Sequence, residues 1–226
     1  MDINGHNIVV GTGRAGDKTV NNYGSAGPPP PEGRTANDGG HADRSRRVFV
    51  VFGRDRPVRD RMFDFLRALG LEPLEWERII NEARHAAPYI GEVVARGVTQ
   101  ASAVLVLLTP DDVVHLHPSL HEPGEGADEV WPTCQPRPNA LIELGMALAT
   151  FPTSTVIVTI GTLRPFSDLA GRDVVRFDGS FASVQQLLGR LRAAGLPARD
   201  DGSDWYRADR FANWDAYLRR PRPPTV

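Results

Sequence analysis

Apolar runs of β-formers constrain this chain more than any other feature. Val48-Phe49-Val50-Val51-Phe52, the ASAVLVLL stretch ending at Leu108, and Thr155 to Ile160 lack the polar alternation of a half-exposed strand. A strand that is apolar on both sides must be covered on both faces, which is the situation of a parallel sheet between helices. Helical spacing occupies the intervals. Val58, Met62, Phe65, Leu66 and Leu69 recur on one face before Gly70, Ile90, Val93, Val94 and Val98 form a second set, and Phe181, Val184, Leu187, Leu188 and Leu191 form another that ends near Gly195. Leu71 to Trp76 and Asp173 to Phe177 supply two shorter strands. Strand–helix alternation of this kind predicts an α/β fold: a five-stranded parallel sheet of flavodoxin-like order 2-1-3-4-5 with helices on both faces. In such sheets ligands bind beyond the carboxyl ends of the strands where the order reverses, here between the first and third strands. The loops there are Gly53 to Pro57 and Thr109 to Asp112, with the loop starting at Trp76 as their neighbour.

The flanks have a different character. Residues 1–45 are rich in Gly, Asn, Asp and Ser and include the proline run Pro28 to Pro31, so they read as a disordered tail and linker. Within them, Ile3 to Gly13 and Lys18 to Gly24 alternate small polar and β-branched residues, a pattern that also suits a β-arch stacking with copies of itself or a recruitment partner. Gly11-Thr12-Gly13-Arg14-Ala15-Gly16 fits G-x-G-x-x-G formally but has no βαβ context, which removes it as a dinucleotide fingerprint. The expected organisation is a tail over 1–45, a folded domain over 46–195, and a C-terminal region over 196–226. Trp205, Tyr206, Phe211, Trp214 and Tyr217 predict a C-terminal helix that docks aromatics, followed by a disordered end from Arg219. The net charge of −2 supplies no global field for nucleic acid or an anionic membrane. No signal peptide is expected, no apolar run is long enough for a bilayer, and a cytoplasmic setting fits the single cysteine, Cys134.

Gln135 to Leu148 concentrates the candidate chemistry. Pro136 and Pro138 lead into a helix, Asn139 is a candidate N-cap, and Glu143 sits among Leu141, Ile142, Leu144 and Leu148. A carboxylate is seldom buried unless it is paired or useful. The switch-point crevice would gather Gly53, Arg54, Asp55, Trp76, Asp111 and Glu143. Gly53 admits close backbone approach, Arg54 can pair with phosphate, and Trp76 offers a face for a purine or nicotinamide ring. A carboxylate facing a ribose can stabilise an oxocarbenium-like state. Each residue also has a plain structural role available: a turn for Gly53, a surface ion pair for Arg54, partial core packing for Trp76 and a cap for Asp111. Residues 113–136 read as irregular. Their His115, His117 and His121, with Asp111, Asp112 and Glu122, match no specific metal spacing, and no metal site is expected. Cys134 has no basic partner placed by sequence, and neither a G-x-S-x-G elbow nor a Walker A motif occurs.

Five ordered segments resemble the bacterial TIR-like, predicted nucleotide-binding family of antiphage effectors. They are Val48 to Asp55, Phe63 to Pro73, Ala103 to Asp112, Arg137 to Gly145, and Phe166 to Gly171. The resemblance covers about residues 46–195. It implies a TIR fold and cleavage of NAD+ at the nicotinamide–ribose bond, with NAD+ as substrate and no retained cofactor. It puts Glu143 on the family's catalytic glutamate, Phe52, Gly53, Arg54 and Asp55 on the loop lining the NAD+ pocket, and Asp111 on the loop after the third strand. It also implies activation by TIR–TIR self-association. The segment after Trp76 and the 113–136 insert depart from the family pattern. A non-catalytic scaffold and a nucleotide-binding sensor without turnover are the alternative functions.

Overall fold

The computed structural model describes residues 44–75, 100–202 and 205–221. The expected N-terminal tail as far as residue 43, Trp76, the expected helix over 90–98 and residues 222–226 of the expected C-terminal end lie outside the described residues.

Five parallel strands form the main sheet: β1 (Arg47–Val51), β2 (Glu72–Leu74), β3 (Ala103–Leu108), β6 (Thr155–Ile160) and β7 (Val174–Phe177). Their order is β2-β1-β3-β6-β7, which is 2-1-3-4-5 when the parallel strands alone are counted. Every residue of β3 is buried, as a central strand covered on both sides requires. Side chains alternate between two cores. Val48, Val50, Ala103, Leu105, Leu107, Val158 and Ile160 face helix α1 (Arg56–Ala68), helix α3 (Phe181–Ala193) and the C-terminal aromatics. Phe49, Val51, Val104, Val106, Leu108 and Ile157 face helix α2 (Pro138–Thr150).

Local rules set the helix ends. Asp55 caps α1 by accepting from the Val58 N–H, and Pro57 sits in the first turn, where its missing donor costs nothing. Gly70, at φ 73°, closes that helix, with bonds from Gly70 N to Arg67 O and from Leu71 N to Leu66 O. Helix α2 departs from expectation. Its N-cap is Arg137, Pro138 takes the first helical position, and Asn139 is already inside the helix. Proline's fixed φ suits that first position, so the helix starts earlier than a capping asparagine would set it.

Two further expectations are corrected. Residues 113–136 are not wholly irregular: β4 (Asp112–Val114) and β5 (Thr133–Gln135) form a small antiparallel sheet. A 3-10 turn (Pro118–Leu120) and a helical turn (Ala127–Val130) lie between them. The C-terminal aromatics do dock on the core, but not as one helix. Two short helices, Ala208–Phe211 and Asp215–Leu218, are separated by Asn213 at φ 57°, a left-handed conformation that asparagine tolerates. Arg219 is not part of a loose end, because it bonds back to the domain at Asp55.

Candidate active site

The register of the sheet brings the ends of β1 and β3 side by side, with Val51 opposite Val106. Beyond β1 lies a pocket of about 460 Å³. It is lined by Phe52, Gly53 and Arg54 from the β1 loop, Arg59 from α1, Glu75 after β2, and Arg137, Asn139, Ala140 and Glu143 from the start of α2. Helix α2 turns Ala140, Leu144 and Ala147 to the sheet, which leaves Glu143 at the edge of the buried stripe and inside the pocket. Asn139 and Glu143 share a helix face at i and i+4 spacing. Ile142, one position away, is 56% exposed.

Glu143 is part-buried, and its side chain makes no hydrogen bond or ion pair with any described residue. Burial alone raises its carboxyl to about 7. A desolvated carboxyl held in a cleft without a structural partner is a mark of functional sites. Around it the cations are fixed. The Arg59 guanidinium lies 5.2 Å from the Phe52 ring centre and 5.6 Å from that of Phe63, and it pairs with Asp60 at 2.6 Å. Its other neighbour is Glu75, at 3.8 Å. Arg137 bonds Asp112 at 2.7 Å, and its stem packs over Gly53.

Asp55 and Asp111 depart from the sequence expectation: neither lines this pocket. Asp111 is buried behind the loop, where its Oδ2 accepts the Arg54 N–H at 3.1 Å and its Oδ1 accepts the Thr109 hydroxyl at 2.9 Å. Desolvation nevertheless holds its carboxyl above the usual range. Asp55 is committed to the α1 cap and to Arg219, at 2.8 Å. Both acids face a second cavity of about 370 Å³ on the other side of the loop, with Trp214 and Arg219. Buried carboxylates go where donors satisfy them, and here the donors are the loop's own backbone and a distant arginine. Sequence reasoning missed Arg59, Glu75, Arg137 and Asn139 as pocket residues. Only Asn139 carried a local signal, its helical spacing to Glu143.

The other reactive side chains have ordinary surroundings. His115 and His121 bond the Leu116 carbonyl, and His117 bonds Ser119. Among the described residues no group of His, Cys, Asp and Glu is arranged to hold a metal ion. Cys134 is buried in β5, and burial pushes its thiol up, away from a reactive thiolate. Among the described residues no helix is long and apolar enough to cross a membrane.

This sheet order is that of a flavodoxin-like α/β domain, and a glutamate-bearing helix lies beside the first strand's loop. Residues 47–179 match the family described as "CAP12/Pycsar effector protein, TIR domain", and the chain belongs to that family. It is also 28% identical over 158 residues to "Uncharacterized protein YuaY" of Escherichia coli (strain K12). That alignment covers 70% of this chain and 48% of YuaY, so the chain spans about half the length of that relative.

Proposed function

We propose that the chain is an NAD+ glycohydrolase effector that cleaves the nicotinamide–ribose bond, works when clustered, and serves in antiphage defence. The observation that carries this reading is Glu143: a part-buried carboxyl, unpaired among the described residues, in a pocket whose rim holds Arg54, Arg59 and Arg137. Ionised Glu143 engages the nicotinamide ribose and stabilises the positive charge that grows at the anomeric carbon as nicotinamide leaves. Water then attacks that carbon, or a hydroxyl of the adenine ribose does so in a cyclising reaction. Arg54 and Arg137 suit a diphosphate, which planar guanidinium groups bind well. Gly53 lets the ligand approach the loop backbone.

Self-association through TIR–TIR contacts is part of the proposal. Large apolar side chains left to solvent, including Trp131 at 67% exposed, offer surface for it. A non-catalytic scaffold would be favoured by a Glu143 closed off by an arginine, and no described arginine pairs with it. The test is nicotinamide release from NAD+ by the full chain, with and without forced oligomerisation through the N-terminal segment. Tight NAD+ binding without turnover would identify a sensor instead, and release that survives Glu143→Ala would remove Glu143 from the catalytic role.

A further inference from the structure

The wall of the Glu143 pocket formed by Gly53 and Arg54 is held from behind by a residue far along the chain. We infer that Arg219 is a positioning residue for this pocket, acting through Asp55 and Asp111 on the β1 loop.

Arg219 reaches three groups at once. Its Nη2 meets Asp55 Oδ2 at 2.8 Å, its Nη1 donates to the Pro110 carbonyl at 3.2 Å, and the same nitrogen lies 4.0 Å from Asp111 Oδ1. The two carboxylates are deeply set, with side-chain exposures of 5% for Asp55 and 2% for Asp111. A nearby cation stabilises two neighbouring buried acids in their charged forms. Arg61 borders the same cavity, but its guanidinium donates to the Asp209 and Arg210 carbonyls. Arg219 is therefore the guanidinium that serves this acid pair among the described residues.

The far side of Asp111 is the pocket loop. Its Oδ2 accepts the Arg54 N–H, and Gly53 presses so closely on that oxygen that a Cβ there would stand 1.8 Å away. One carboxylate thus has Arg219 on one side and the loop backbone on the other.

The segment carrying Arg219 is itself anchored. Trp214 stacks on Phe177 and on Tyr217, with ring centres 5.5 Å and 5.4 Å apart. Gly161, at φ 72° beyond β6, leaves room for the Ala216 carbonyl, which a Cβ there would meet at 2.1 Å. All of this C-terminal segment lies beyond residue 179, where the family match ends. The loop that walls this pocket is thus backed by a part of the molecule outside the matched segment.

The test uses the full chain and the variants Arg219→Ala, Arg219→Lys and Asp55→Asn, the last keeping a capping residue on α1. Amide exchange of Arg54 reads the clamp directly, and exchange of Leu105 and Leu187 reports whether the core remains folded. In Arg219→Ala, Arg54 exchange is expected to rise about tenfold or more with the core amides unchanged. Arg219→Lys is expected to fall between Arg219→Ala and the parent. Unchanged Arg54 exchange in both Arg219→Ala and Asp55→Asn would overturn the clamp. The activity arm rests on the proposed NAD+ cleavage. There, Arg219→Ala is expected to lower kcat/KM about tenfold or more through misplacement of the loop, with partial rescue by lysine. Raised exchange with unchanged kcat/KM would overturn the positioning role. A parent protein that releases no nicotinamide would remove the proposed reaction, while Arg54 exchange would still decide the clamp.

Discussion

Burying the Glu143 carboxyl carries a cost that depends on pH. The folded-state carboxyl lies near 7 against an ordinary value of 4.5. Between those values the folded protein binds more protons than the unfolded chain, so stability falls as pH rises through that window and levels off above it. Replacing Glu143 with Gln removes this dependence. The variant should match the parent at about pH 4 and exceed it by about 1–2 kcal/mol at about pH 8, a figure reduced from the full shift because the group is partly exposed. Urea unfolding at the two pH values checks this. An equal difference at both would mean that Glu143 carries no burial penalty. The same ionisation sets the pH–rate profile: kcat/KM for nicotinamide release should climb with pH and level off above about 7, where the carboxylate is formed. A profile that falls across that range would assign Glu143 a protonated role. Gly53 supplies a steric prediction. Gly53→Ala drives a methyl into Asp111 Oδ2, so it should destabilise by about 1–3 kcal/mol, read as a shift in the urea midpoint, and should also lower activity.

At the scale of elements the prediction concerns the C-terminal aromatics. Trp214 is 6% exposed and packs on Phe177, Phe211 and Tyr217, so Trp214→Ala should cost about 3–5 kcal/mol of stability by thermal or chemical unfolding. A loss below about 1 kcal/mol would mean that the segment rests on the domain without stabilising it. The contrast between elements explains what the sequence could reveal. β1, β3 and β6 were legible because apolar β-formers run without alternation, a pattern that suits a strand covered on both faces. β4 and β5 were hidden because each is three residues long and their partners are far apart in sequence. The aromatics at helical spacing predicted one C-terminal helix, and the left-handed turn at Asn213 divides it instead. For the site, strand order placed the β1 loop and α2 correctly beside one another, which brought Phe52, Gly53, Arg54 and Glu143 to one pocket. It could not orient Asp55 and Asp111. Asp55 turns to Arg219, which lies 164 residues beyond it, and Asp111 turns to the Arg54 N–H and the Thr109 hydroxyl.

At the scale of the whole molecule, the sheet presents the Glu143 pocket at its carboxyl edge, and the C-terminal segment braces the loop that walls it. Nothing in the net charge of −2 opposes self-association strongly, and exposed apolar side chains such as Trp131 and Ile142 are available for it. Turnover per chain should therefore rise with protein concentration or with a fused oligomerising module, and Trp131→Ala should leave unfolding within about 0.5 kcal/mol of the parent because that side chain is exposed. Glu143 is the residue proposed to perform the chemistry in this pocket. The most direct test of that role is nicotinamide release from NAD+ by the full chain under forced clustering, with the parent and Glu143→Ala compared at equal concentration. A catalytic Glu143 requires steady release by the parent and a loss of about a hundredfold or more in a folded variant. Release of equal rate by both proteins would contradict it.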